Sequence, residues 1–378
     1  MSKKNLLINI FISFSSFFVG LTISEIFLSF FNDYQTKMNT KENHIKLELF
    51  PPDLKKEVTP TTRYLKQTDS FKKKQRYFLQ TDKTGAIVNP EDKNTFYNEE
   101  RLDILFLGGS TTENMYVKEN MRFPAIVSKM INKSNFCEVE NCIVLNAGLS
   151  GRIIPPSINV LLNRYLIPRP KKVILMHNIN DIRYQVEGKK YWESDRHIFT
   201  ISRYPIFNFS TYTRIIPLFF PRTYSLIFNS YDKFVGLGVN INGENNDIKL
   251  LDKLPIEKEY LITKNFKEAL NVFVSLCKSL DIEPILMTQA SRLDEISLEK
   301  KYLYFSPSIS YKELGRIHKK FNEIIRGFKS KGLTVIDLDS KIKTNKEIMF
   351  DTFHFTEKGN KIAAEIIFNE LTNNSKLK

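Results

Sequence analysis

The stretch Leu102-Asp103-Ile104-Leu105-Phe106-Leu107-Gly108-Gly109-Ser110-Thr111-Thr112 decides how this chain folds. Ile104–Leu107 shows no alternation with polar residues, so a strand here must be covered on both faces, the condition of a parallel sheet inside an α/β domain. Two glycines then let the backbone turn sharply into a helix that opens on Ser110. The same alternation repeats outward along the chain. A helical pattern around Phe123–Ile131 precedes a strand at Ile143–Asn146, and a helix around Pro156–Leu166 precedes Val173–Met176. Phe266–Leu280 precedes Pro284–Thr288, and a helix near Tyr311–Lys331 precedes Thr334–Leu338. A last helix, about Glu357 to Leu371, takes Thr356 as its N-cap. The expected fold is a doubly wound, flavodoxin-like, five-stranded parallel sheet in a three-layer α/β/α arrangement. Chemistry in such sheets sits just beyond the carboxyl ends of the strands.

Four strand ends carry suitable residues. The first presents Ser110, readable as a nucleophile or as a plain N-cap. Its glycines do not form GxGxxG and no GK[ST] follows, which disfavours a dinucleotide or P-loop site. The second ends in Asn146-Ala147-Gly148-Leu149-Ser150-Gly151, a turn whose backbone N–H groups can face a negative oxygen. After the third comes His177-Asn178-Ile179-Asn180-Asp181, where the Asn180 amide is either an oxyanion donor or a loop residue. Beyond the fifth lies Asp351-Thr352-Phe353-His354, spaced so that the carboxylate can hold the imidazole within one turn. Taken singly each has a bland reading. Their coincidence at one end of one sheet points to a hydrolase.

These blocks, GGST around Ser110, NAGLSG ending at Gly151, NIND containing Asn180 and DTFH from Asp351 to His354, resemble in chain order the four blocks of the SGNH (GDSL-like) hydrolase superfamily. The resemblance covers about Leu102–Leu371. It implies Ser110 as nucleophile, His354 as base and Asp351 as its orienter. It also implies an oxyanion hole made by the N–H groups of Ser110 and Gly151 and the side chain of Asn180. Two positions depart from the pattern: Gly109 stands where the family has Asp, and Asn178 where the third block opens with glycine. His44, His177, His197 and His318 have no matching partner and are expected to be structural or solvated.

The remainder of the chain sets the context. Of 378 residues, 42% are hydrophobic, which excludes a disordered or collagen-like chain. Lys and Arg exceed Asp and Glu by 56 to 42, a net +14, but the lysines are interspersed with acids, so no nucleic-acid partner is expected. The densest basic cluster, Lys72-Lys73-Lys74 with Arg76, reads first as a solvated face and second as a contact for anionic lipid or polymer. Three cysteines without paired CxxC motifs leave no zinc ribbon. Cys137 and Cys142 are either a small disulfide loop or free thiols, and Cys277 reads as a buried helix residue. No cofactor or metal is implied.

After Lys3 and Lys4, Leu6–Ser24 carries no charge and the run stays apolar to Phe31, long enough to span a bilayer. A cleaved signal peptide is the rival reading, but no A-x-A-like site follows, so residues 1–31 are expected to be a cytoplasmic tip and transmembrane anchor, contacting lipid through residues 5–31. Residues 32–100 read as a polar juxtamembrane stalk with one or two short strands near Tyr77–Val88, and 101–378 as the hydrolase-like domain. Within it, about 183–254 breaks the alternation and reads as an aromatic insertion containing Trp192, a lid, an acceptor wall or core-packed material. The expectation is a single-pass membrane esterase with an extracytoplasmic domain. It would act on an acylated carbohydrate or a small ester, with O-acetyl removal from a surface glycan leading. An O-acyltransferase with the same triad and a catalytically silent glycan-binding protein are the alternatives.

Overall fold

The computed structural model describes residues 3–29, 48–60, 65, 68, 75–134, 136, 137, 141–192, 251–296 and 309–375. The chain divides into two units, residues 1–45 with 195–247 and residues 46–194 with 248–378. In the first unit the described residues form one helix, α1, Lys3–Ser29, 27 residues long. Among the described residues no helix is long and apolar enough to cross a membrane. The side chains of residues 3–11 lie outside those described.

The second unit is built on the sheet that the apolar runs imply. Its five strands are β3 (Leu102–Gly108), β4 (Val144–Gly148), β5 (Pro170–Met176), β6 (Glu283–Met287) and β7 (Thr334–Ile336). All neighbours are parallel and their order is β4-β3-β5-β6-β7. Counting these five in chain order gives 2-1-3-4-5, the flavodoxin-like arrangement, with its switch point beside β3.

Side chains alternate across the sheet as a period of two demands. Ile104 and Phe106 join one apolar cluster, covered by α3 (Phe123–Asn132) and α10 (Glu357–Ser375). Leu105 and Leu107 join the other, covered by α4 (Ile154–Arg164), α6 (Ile256–Ser279) and α8 (Tyr311–Arg326). Phe266 of α6 stacks on Phe321 of α8 with ring centroids 4.1 Å apart, closing the second layer. Thr356 caps α10 as expected, its hydroxyl accepting the Gly359 N–H at 3.2 Å. Helix α6 starts ten residues before the expected Phe266–Leu280 helix, and in these added turns Ile262 is buried while Ile256, Tyr260 and Leu261 are exposed.

Part of the expected stalk folds onto this domain. Strand β1 (Lys55–Val58) pairs antiparallel with β2 (Tyr77–Gln80), and the following loop buries Ala86, Ile87 and Val88. The Ile87 N–H donates to Asn146 O at 2.7 Å, which caps the outer edge of β4 where an open strand would otherwise invite pairing with another chain. The loop is held by Asp82, whose carboxylate accepts the N–H groups of Thr84 at 2.8 Å and Tyr97 at 2.7 Å. Cys137 and Cys142 are joined by a disulfide, and Cys277 is a free, buried thiol whose pKa burial pushes up to about 12. Trp192 is exposed; residues 193–250 of the expected insertion, His44, His197 and Lys72–Lys74 lie outside the described residues.

Candidate active site

Ser110 opens a single helical turn, α2 (Ser110–Glu113), directly after β3. The turn forms because Gly109 O accepts the N–H groups of both Thr112 and Glu113 at 3.0 Å. Helix α5 (Ile179–Val186) begins just beyond the neighbouring strand β5, so Asn180 sits across the switch point from Ser110. The Asp351–His354 segment arches between an antiparallel bridge of Met349 with Phe355 and the start of α10.

These placements bring together side chains 244 residues apart in sequence. Ser110 Oγ lies 2.7 Å from His354 Nε2, and His354 Nδ1 lies 2.6 Å from Asp351 Oδ2. Asp351 is fully buried, and its other oxygen accepts the N–H groups of Phe353 at 2.8 Å and His354 at 2.7 Å. Burial works against its negative charge, but the His354 ring and those two donors outweigh it and hold the carboxyl below its ordinary pKa. An ionised carboxylate only accepts, so Nδ1 must carry the ring proton and Nε2 is left to accept from the Ser110 hydroxyl. Burial pushes the His354 pKa down, yet the charge and hydrogen bond of Asp351, helped by Glu113, raise it overall.

The donor side is equally built. Gly151 has φ +80°, a conformation that favours glycine, and lines with Ser110, Asn114, Tyr116, Asn180 and His354 a cleft of about 300 Å³. Asn180 Nδ2 donates to Arg152 O at 3.1 Å, which fixes the amide beside Ser110 and leaves its second N–H for a ligand. The departure at position 109 has a physical reason: a Cβ on Gly109 would collide with the Asn180 amide nitrogen. Glycine there is what lets Asn180 approach. At the other departure, Asn178 Nδ2 donates to His318 O at 3.0 Å and to Asn322 Oδ1 at 2.8 Å, so it ties α5 to α8 and does not face the cleft.

Other residues, absent from the sequence candidates, support the site. Glu113, fully buried, accepts from the Ser150 hydroxyl and so clamps the turn that carries Gly151. Burial pushes its carboxyl pKa up, against the Ser150 hydrogen bond and the charges of His354 and Arg122. Arg152, also buried, donates to the carbonyls of Ala147 and Glu48, and burial lowers its pKa to about 10. The remaining described histidines are structural. His177 Nε2 meets Ser157 Oγ at 2.8 Å within the core, and His318 is kept neutral, its pKa depressed by burial to about 3.

No family model and no curated protein matches the chain. Among solved structures it is similar to a lipase/acylhydrolase from Enterococcus faecalis at 16% identity and TM-score 0.40, covering 72% of this chain and 97% of that one. It is similar to the acetylxylan esterase Axe2 from Geobacillus stearothermophilus at 14% and 0.39, covering 72% and 96%. A GDSL-like lipase from Bacteroides thetaiotaomicron follows at 11% and 0.38, covering 75% and 95%. At such identities and TM-scores the likeness carries no argument about the reaction, which has to be made from the geometry of the cleft.

Proposed function

We propose that the chain is a serine esterase of the SGNH type, with Ser110 as nucleophile, His354 as general base, Asp351 as its orienter and Ser110, Gly151 and Asn180 as oxyanion donors. The observation that carries this reading is the unbroken run from Ser110 Oγ through His354 to the buried Asp351, 2.7 Å and 2.6 Å at its two links. The Ser110 proton passes to His354 Nε2 as Oγ attacks the ester carbonyl, and the carbonyl electron pair moves onto oxygen. The three donors take up that charge. Collapse of the tetrahedral adduct expels the alcohol, which leaves with the proton from Nε2. Water, deprotonated by His354 in turn, attacks the acyl-serine and releases the acid.

The substrate class in this reading is an O-acylated carbohydrate, an O-acetyl ester first. What supports it is a cleft whose lining sets the polar side chains of Asn180 and Arg183 beside Tyr116, suited to a hydroxyl-rich alcohol. A membrane tether over residues 5–31 belongs to this reading on the strength of the uncharged sequence run Leu6–Ser24, and a domain outside the cytoplasm on that of the Cys137–Cys142 disulfide. The test is acetate release from an O-acetylated polysaccharide and from a short-chain aryl acetate by the full chain in detergent. Turnover lost in Ser110→Ala supports the reading, and turnover unchanged in that variant refutes it.

A further inference from the structure

We propose that Gln289 is a positioning residue that sets the nucleophile, the oxyanion amide and the base in register with one another. The inference rests on the esterase reading above. Gln289 follows β6, the one strand end that carries none of the four motifs, and it is buried at 5% exposure. Its Nε2 donates to Thr111 Oγ1 at 2.8 Å, and its Oε1 accepts the Ile179 N–H at 3.0 Å. Thr111 Oγ1 donates onward to Phe353 O at 3.4 Å. Each contact therefore falls one residue from a reacting group: Thr111 beside Ser110, Ile179 beside Asn180, Phe353 beside His354.

The chain of bonds has a fixed direction. Ile179 supplies a backbone N–H, so Oε1 must face it and Nε2 must face Thr111; the flipped amide would set donor against donor. Thr111 receives that hydrogen and can spend its own only on Phe353 O. The backbone of Gln289 is pinned as well. Its N–H donates to Asn322 Oδ1 at 3.1 Å and its carbonyl accepts from Asn322 Nδ2 at 2.9 Å, with Asn322 fully buried. A carboxamide is the side chain that meets both demands at once. Glutamate keeps the acceptor but loses the donor when ionised, and methionine of similar length loses both. Such a group touches no substrate, and its effect is to hold three loops within the small tolerance that attack requires.

The test is steady-state hydrolysis of a short-chain aryl acetate by the full chain in detergent, with near-UV circular dichroism to confirm the fold. Gln289→Met and Thr111→Val are expected to lower kcat about tenfold to a hundredfold with KM within about twofold. Thr111→Ser, which restores the hydroxyl, is expected to return kcat to near the starting value. The double variant should be little worse than the poorer single one, because both remove the same link. Should Gln289→Met fail to fold, Thr111→Val, which exchanges a hydroxyl for a methyl group, carries the test with its serine counterpart. Folded variants with kcat within twofold of the parent, or losses that multiply in the double variant, overturn the inference and leave the esterase reading standing. A parent protein inert toward the aryl acetate overturns both.

Discussion

Replacing Asp351 by Asn isolates the orienting role of the carboxylate, because the two side chains have the same shape. Asp351 Oδ1 faces two N–H donors, from Phe353 and His354, at 2.8 Å and 2.7 Å. In the variant the amide carbonyl must take that side, since an NH2 group there would confront two donors in a fully buried site. The NH2 group is then turned toward His354 Nδ1, which can accept it only as the bare nitrogen. The ring proton moves to Nε2, and the ring now offers a donor to Ser110 Oγ where an acceptor is needed. The packing is kept and the wrong tautomer is installed. Enzymes with this arrangement lose about 10⁴-fold in kcat on that exchange, equivalent to about 5 kcal/mol of transition-state stabilisation. Aryl acetate kinetics across pH, with urea unfolding to confirm that the fold survives, measure it. A kcat within tenfold of the parent at neutral pH refutes the argument that Asp351 fixes the tautomer.

Further outcomes follow from the same contacts. Because Asp351 raises the His354 pKa and catalysis needs the neutral ring, kcat/KM should rise with pH through a midpoint above the ordinary histidine value of about 6.5; a midpoint below it contradicts the assignment. Gly109→Ala puts a methyl group where the Asn180 amide sits, so kcat should fall about a hundredfold with KM little changed, and adding Asn180→Ala should cost little more; full activity in Gly109→Ala excludes Asn180 as a donor. On α6, Glu259 is held at about 2 by its hydrogen bonds to Arg316, aided by Lys320 and opposed by partial burial. A depressed carboxylate contributes stability above its unfolded pKa of about 4.3 that is lost as pH falls toward the folded value. Urea midpoints should therefore drop less between pH 6 and pH 3 in Glu259→Gln than in the parent, and equal drops refute the assignment.

The sheet was legible because its strands are apolar on both faces. Leu105 and Phe106 look alike in sequence although they pack into different clusters, and only continuous burial makes such a run. Strand β7 could be placed for the same reason despite spanning only Thr334–Ile336. The segment before Arg101 misled because it is anchored through polar atoms: Asp82 gathers backbone N–H groups and Ile87 bridges to Asn146, and neither act leaves a hydrophobic period. Three of the four strand-end motifs concern residues whose local spacing reflects a turn. Gln289 does not announce itself, since its partners are at 111, 179 and 322 and only the fold brings them near. Glu113 could have been noticed, as a carboxyl one turn after a candidate nucleophile stands on the same wall of the cleft. The state of Cys137 and Cys142 was open because a spacing of five permits a disulfide without requiring it.

The most direct test of the account is covalent trapping of the nucleophile. An alkyl fluorophosphonate offered to the full chain in detergent, followed by peptide mass mapping, should place one adduct on Ser110, with labelling abolished in Ser110→Ala and strongly slowed in His354→Ala. An unmodified Ser110, or labelling as fast without His354 as with it, would contradict the claim that these two residues form a working nucleophile.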